Sequence, residues 1–176
     1  GLFDLIGKPK IILNKIAILG GGKLGSYVAD YLGFDQYAEA GFFSRLIRKI
    51  ITDRGKKLQI IENDYQRCKY LTERYPNASI IHSDIADENL WENETLKNYD
   101  LVITSTGNAE LNLIVAMYAK KHGIPRAISL VQTKAYQHIA EDLGIDVCIS
   151  INNVLVNTIL KIISKGNIKS IYNISG

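Results

Sequence analysis

Short apolar runs alternate with longer amphipathic stretches through most of this chain, and that alternation restricts its fold more than any other feature. The apolar runs Ile16–Leu19, Leu58–Ile61, Ser79–His82, Leu101–Thr104, Ala127–Leu130 and Val147–Ile149 have the length of buried strands. Between them Lys23–Leu32, Tyr65–Arg74, Asp87–Thr95, Ala109–His122 and Ala135–Leu143 carry helical patterns, and Gly123 with Pro125, and Gly144, mark helix ends. Strands separated by helices must be joined by crossovers, so the expected architecture is a doubly wound α/β fold with six parallel strands and helices on both faces. Such a sheet binds ligands at the carboxyl ends of its strands, where the strand order reverses. With 176 residues, 47% of them hydrophobic, the chain has enough apolar mass for one substantial core.

Three segments stand outside the repeat. Residues 1–14, with Gly7-Lys8-Pro9-Lys10, have the character of a linker. Residues 33–57 form an insertion between the first helix and the second strand. Within it Phe42, Leu46 and Ile50, and Phe43, Ile47 and Ile51, recur at four-residue spacing among Arg45, Arg48 and Lys49, which predicts an extra amphipathic helix that covers core or docks another chain. Residues 151–176 contain a terminal helix, Asn152–Lys165, and a short run, Ile168–Ile174, that looks unfinished. The α/β unit is then expected to occupy residues 15–150.

The first strand runs directly into Gly20-Gly21-Gly22-Lys23-Leu24-Gly25. Gly20, Gly22 and Gly25 fit G-x-G-x-x-G, the Rossmann-like phosphate turn, in its required place between a strand and a helix. The first glycine permits the turn, the second lets a phosphate approach the backbone, and the third lets helix and strand pack closely. The N–H groups from Gly22 through Gly25 would face the phosphates with the helix dipole behind them. Lys23 inside the turn is either a point charge for phosphate or a solvated first-turn lysine.

Glu62 ends the second strand, where a carboxylate accepts hydrogen bonds from ribose hydroxyls and disfavours a 2′-phosphate. It lies 37 residues beyond Gly25, against roughly 20 in the usual arrangement, and the insertion accounts for the surplus. Ser83-Asp84-Ile85-Ala86-Asp87 follows the third strand, where an adenine edge would be met, although an Asp there also serves as a turn or cap residue. Thr104-Ser105-Thr106-Gly107-Asn108 ends the fourth strand across the crevice from the glycine turn, and its small residues leave room for a ribose or phosphate.

A hydride-transfer enzyme needs an acid or base over the nicotinamide and walls for its substrate. His82, His122 and His138 fall at a strand end, in a last helical turn and on a helix, and neither Y-x-x-x-K, H-E-x-x-H nor a P-loop occurs. A net charge of +3, with the basic residues dispersed, gives no nucleic-acid surface. Cys68 and Cys148 form no metal-type pair, which suits a reducing compartment. No apolar stretch reaches the ~18 residues that cross a bilayer, so a cytoplasmic chain without direct membrane insertion is expected.

These stretches together resemble the regulator-of-potassium-conductance domain, also called the KTN or TrkA-N domain, of Trk-type potassium uptake regulators. The matching pieces are Ile18 through Gly25, Ile60-Ile61-Glu62-Asn63-Asp64 followed by Arg67, Ser83 through Asp87 with Leu90, Thr104 through Asn112 leading into Ala116-Met117-Tyr118-Ala119-Lys120, and Leu143-Gly144-Ile145-Asp146. The resemblance implies a non-catalytic cytosolic subunit, peripheral to the inner face of the membrane, that binds NAD(H) or, failing that, ATP or ADP, and gates a membrane potassium transporter or channel. It places phosphate on Gly20, Gly21, Gly22, Lys23, Leu24 and Gly25, ribose on Glu62 beside Asn63, and adenine near Ser83, Asp84 and Ile85, with Thr104, Thr106 and Gly107 lining the crevice. It also implies a homo-oligomer, at least a dimer, joined through the later strands and Asn152–Lys165, and a following subdomain that is truncated or absent. The Gly-Lys-Pro-Lys linker resembles the join between tandem copies. Two departures are the inserted helix and the residues Asn108 and Ile151, where the family often carries an acid and a proline. Two other readings stay open beside it: the cofactor domain of an NAD-dependent oxidoreductase, and a structural module with an empty glycine turn.

Overall fold

The computed structural model describes residues 13–32, 57–92, 96–131, 133 and 135–150. The expected linker apart from residues 13 and 14, the Phe42–Ile51 helix and the terminal helix Asn152–Lys165 with its tail lie outside the described residues. Along the chain run β1 (Lys15–Leu19), α1 (Lys23–Tyr31), β2 (Lys57–Glu62), α2 (Tyr65–Arg74), β3 (Ser79–His82), α3 (Glu88–Glu92), β4 (Leu101–Thr104), α4 (Ala109–Lys121), β5 (Arg126–Val131), α5 (Tyr136–Asp142) and β6 (Val147–Ser150). The strands form a six-stranded sheet of order β3-β2-β1-β4-β5-β6, parallel throughout. The doubly wound expectation holds, with element ends shifted by at most one residue, apart from the expected end of Asp87–Thr95, which lies outside the described residues.

The central strands β1, β4 and β5 are buried almost throughout because helices cover both sheet faces, while the edge strand β3 is exposed at Ser79 and His82. On one face Ile16, Ile18, Leu58, Ile60, Leu101 and Ile103 pack with Val28 and Ala29 of α1, and with Leu71 of α2 and the adjoining Tyr75. On the other, Ala17, Leu19, Ile61 and Val102 pack beneath Leu90 and Trp91 of α3 and Val115 and Ala119 of α4. Farther along that face Ala127 and Val131 meet Leu113 and Ala116 of α4 and Ala140 of α5. Strand registers bring Leu19 beside both Ile61 and Thr104. The chain passes from β1 outward to β2 and β3, then returns to β4 on β1's other side, so the order reverses between β1 and β4. The crevice for a ligand opens there.

Helix starts differ in a way that matters below. Asp64 caps α2 by accepting from the Arg67 N–H at 2.8 Å, and Asn108 caps α4 by accepting from the Leu111 N–H at 2.8 Å. Helix α1 begins at Gly22 with no side-chain cap at all. Among the described residues no helix is long and apolar enough to cross a membrane.

Candidate functional site

Leu19 leads into Gly20, whose φ of +107° is the left-handed conformation that β1 needs to turn into α1. A Cβ at Gly20 would also stand 2.8 Å from the Thr106 nitrogen. Gly25 faces the turn from within the helix, where a Cβ would come within 2.1 Å of the Gly20 carbonyl oxygen. A Cβ at Gly21 would strike Leu71 Cδ1 at 2.4 Å, whereas one at Gly22 would meet nothing within 4 Å. Gly20 and Gly25 are thus required by backbone contacts, and Gly21 is crowded by the Leu71 side chain. Gly22 faces open space.

That space is a cavity of about 410 Å³ at the carboxyl ends of the strands. Gly20 and Gly22 form one wall, Glu62 and Asn63 follow from β2, Ser83, Asp84 and Ile85 from the loop after β3, and Ser105 through Asn108, with Leu111, close the far side. Of the residues expected at a ligand, Gly20, Gly22, Glu62, Asn63, Ser83, Asp84, Ile85, Thr106 and Gly107 meet around this one cavity. Lys23 is exposed at the start of α1 and Leu24 is half-buried against the α1 side of the core, and neither lines it. Gly21 and Gly25 lie behind the turn, in contact with Leu71 and Gly20. Thr104 is buried, its hydroxyl donating to the Asn112 carbonyl at 2.9 Å.

The walls are tied together from behind. Gly20 N–H donates to the Ile61 carbonyl at 2.9 Å, and the Ser105 hydroxyl donates to the Gly20 carbonyl at 2.8 Å, which fastens the glycine turn to the loop after β4. Glu62, only 9% exposed, accepts the Gly21 N–H on Oε2 at 2.8 Å and the Asp64 N–H on Oε1 at 2.9 Å. Asn112 is 1% exposed and spends its whole amide on one corner. Its Oδ1 accepts the Thr106 N–H at 2.9 Å and the Thr106 hydroxyl at 2.6 Å, while Nδ2 donates to the carbonyls of Thr106 at 3.1 Å and Leu130 at 2.7 Å. Asp84 accepts the Ala86 N–H at 2.9 Å, and Trp91 Nε1 donates to the Ile85 carbonyl at 2.9 Å, so the loop after β3 is held with Ile85 on the cavity.

Sequence reasoning gave Ser105 and Asn108 a place only as part of the Thr104–Asn108 stretch, and assigned no individual role to Leu111, Asn112 or Arg67, which appear only in the stretches that carry the family resemblance. The burial of Asn112 within α4 leaves no mark in an apolar helical pattern. Among the described residues lining the cavity there is no histidine, lysine or tyrosine. His82 instead bonds the Asn63 carbonyl at 3.0 Å, and His122 packs on Tyr118 with ring centroids 4.1 Å apart.

Parallel strand order 321456, a glycine turn at the reversal and a carboxylate on the neighbouring strand define a Rossmann-like α/β domain. The sequence model of the TrkA-N domain matches residues 40–151, well over half the chain, and the chain belongs to that family. The Trk system potassium uptake protein TrkA homolog 2 of Methanosarcina mazei is 29% identical over 163 residues, covering 93% of this chain and 32% of that protein. The TrkA protein of Vibrio alginolyticus is 27% identical over 158 residues, 90% of this chain and 30% of its own length. The chain thus spans about a third of these curated relatives. In fold it resembles the TrkA-N domain of inner membrane protein ybaL from Escherichia coli (TM-score 0.60, 15% identity, 86% of this chain and 97% of that one). It also resembles the GsuK channel bound to NAD (TM-score 0.56, 11% identity, 82% of this chain and 22% of that one).

Proposed function

We propose that this chain is a non-catalytic nucleotide-sensing domain of a potassium uptake system, holding NAD(H) in the crevice between β1 and β4. The observation that carries this reading is the uncapped start of α1 at Gly22, open to a cavity that also holds the Glu62 carboxylate. Bare amides at a helix start favour an anion, and a carboxylate beside them suits a sugar diol; one ligand class, a nucleotide, presents both. Phosphate falls to the Gly20–Gly25 turn, ribose to Glu62, and the adenine to the Ser83–Ile85 loop, whose apolar member Ile85 offers a face for the ring.

A second hollow of about 490 Å³ shares Gly107 and Asn108 with the first and continues past Glu110 and Thr133 to Tyr136 and Ile139. Two hollows meeting at one loop suit two nucleosides joined by a pyrophosphate, which favours NAD(H) over ATP or ADP. The Trk potassium uptake relatives support sensing over hydride transfer.

Sensing requires that the ligand bind two states of the assembly unequally. In this reading at least two copies pair in the cytoplasm against a membrane potassium transporter, and nucleotide exchange shifts their arrangement. Calorimetry of the chain with NAD, NADH, ATP and ADP tests the first step. Saturable binding, tightest for one of the NAD forms, is expected; absence of binding by all four removes the reading.

A further inference from the structure

Arg67 lines no part of the cavity, yet its guanidinium reaches the back of the glycine turn. Nε donates to the Gly21 carbonyl at 2.8 Å and an Nη nitrogen donates to the Ser26 hydroxyl at 2.7 Å. The guanidinium lies over the Tyr70 ring, 4.6 Å from its centroid, which fixes its plane. With the contacts already described, a closed ring of hydrogen bonds results: Glu62 takes the Gly21 N–H, Gly21 gives its carbonyl to Arg67, the Arg67 N–H goes to Asp64, and the Asp64 N–H returns to Glu62.

The Gly21 carbonyl and the Gly22 N–H belong to one peptide unit, and a trans peptide aims its C=O and N–H in opposite directions. No described peptide bond is cis. A carbonyl pinned toward α2 therefore turns the Gly22 N–H away from α2, toward the side on which Gly22 borders the cavity. This peptide sits between two glycines, so no Cβ on either side resists its rotation. A Cβ at Gly21 would strike the Cδ1 end of Leu71, and from α1 the Ser26 hydroxyl reaches this peptide only at a long 3.4 Å, donating to the Gly21 carbonyl. Stiffness beyond that has to come from outside.

We infer that Arg67 is a positioning residue for phosphate: it locks the Gly21–Gly22 peptide so that the Gly22 N–H is presented to the ligand before the ligand arrives. The inference rests on the nucleotide reading and deepens it, by giving the phosphate turn a charged clamp on its hidden side. The clamp acts through the turn and touches neither ribose nor base. Its loss must fall on ligands that carry phosphate and spare those that do not.

The experiment compares the wild-type 176-residue chain with Arg67→Met, which keeps length without donors, and Arg67→Lys, which keeps charge with a single head group. Adenosine, ADP and NADH are titrated into each, and the Gly22 amide resonance is followed in isotope-labelled protein without ligand. For Arg67→Met the affinities for ADP and NADH are expected to fall by about tenfold or more, with adenosine within about twofold. The Gly22 resonance should broaden while the amides of β1 keep their positions. Arg67→Lys should fall between the two, and it carries the same comparison should Arg67→Met fail to fold. Equal losses for adenosine and ADP, or a Gly22 resonance identical to wild type, overturn the proposal. A wild-type chain that binds neither ADP nor NADH overturns the nucleotide reading instead, and the Gly22 resonance then decides the clamp by itself.

Discussion

Glu62 holds the Gly21 N–H at 2.8 Å on one carboxylate oxygen and the Asp64 N–H at 2.9 Å on the other. One side chain thus anchors the glycine turn and the start of α2 while the same residue borders the cavity. A neutral carboxamide cannot accept on both sides. Glu62→Gln turns its NH2 group toward one of the two amides and leaves that amide unpaired. A loss of about 2 kcal/mol in urea unfolding is expected, together with loss of NADH binding.

The glycines of the turn separate by what surrounds them. A methyl at Gly25 would lie 2.1 Å from the Gly20 carbonyl oxygen and 3.0 Å from the Ser105 hydroxyl, both held in place by the sheet. Gly25→Ala is expected to cost about 3 kcal/mol by overpacking. A methyl at Gly22 meets nothing, and its φ of −62° suits any residue. Gly22→Ala should therefore unfold within about 0.5 kcal/mol of wild type while its NADH affinity falls by about tenfold or more, because the methyl would stand in the proposed path of the phosphate. Denaturation and calorimetry on the two variants separate packing from binding.

The strands were legible because a sheet covered on both faces demands uninterrupted apolar runs, as in Ile16–Leu19 and Leu101–Thr104, and the crossovers left only parallel pairing. The cavity was legible in outline because Gly20, Gly22, Glu62 and Asp84 each follow a strand, and strand ends meet at the order reversal. What the sequence hid were the supports. Nothing in the spacing of Arg67 shows that α2 turns this side chain back on the Gly21 carbonyl, since that depends on the crossing of α1 and α2 through Leu71 and Tyr75. For Lys23, one residue from Gly22, a phosphate contact and a solvated position both stood open, and the side chain is exposed at the start of α1. Thr104, singled out for its hydroxyl, has the strand alternation of an inward residue and gives that hydroxyl to Asn112.

Alkaline pH should loosen the fold. Burial pushes the Cys148 thiol up to about 12, and burial with the Asp30 contact pushes the Tyr75 hydroxyl higher still. In the unfolded chain a thiol ionises near about 8.5 and a tyrosine near about 10. Both groups thus keep their protons in the fold at pH values where the unfolded chain releases them, so rising pH draws protein toward the unfolded state. The stability they contribute is complete below pH about 8.5 and is lost as the pH climbs toward 12. The urea midpoint should fall steadily from pH about 8.5 upward, and Cys148→Ala should remove the first part of that fall.

Asn112 supports the wall that Glu62 does not. Its four hydrogen bonds tie Thr106 to α4 and to the end of β5. Asn112→Leu keeps the volume but strands the buried Leu130 carbonyl and the Thr106 N–H. A loss of about 3 kcal/mol is expected in thermal or urea unfolding. Because Thr106 lines the cavity, the same variant should also bind NADH more weakly at a temperature where it is fully folded.

The identity of the acid on β2 makes a final distinction measurable. Glu62 is fixed by two backbone amides, so it cannot swing aside for an incoming anion without leaving both unpaired. A 2′-phosphate on the adenosine ribose would bring a dianion against this carboxylate, in a pocket where burial strengthens the repulsion. Among the described residues lining the cavity none carries a positive charge to offset it. NADH should therefore bind at least about tenfold more tightly than NADPH, and the ratio should shrink in Glu62→Gln if any binding survives. Competition calorimetry with the two dinucleotides reads the ratio directly, and equal affinities would place the ribose away from Glu62.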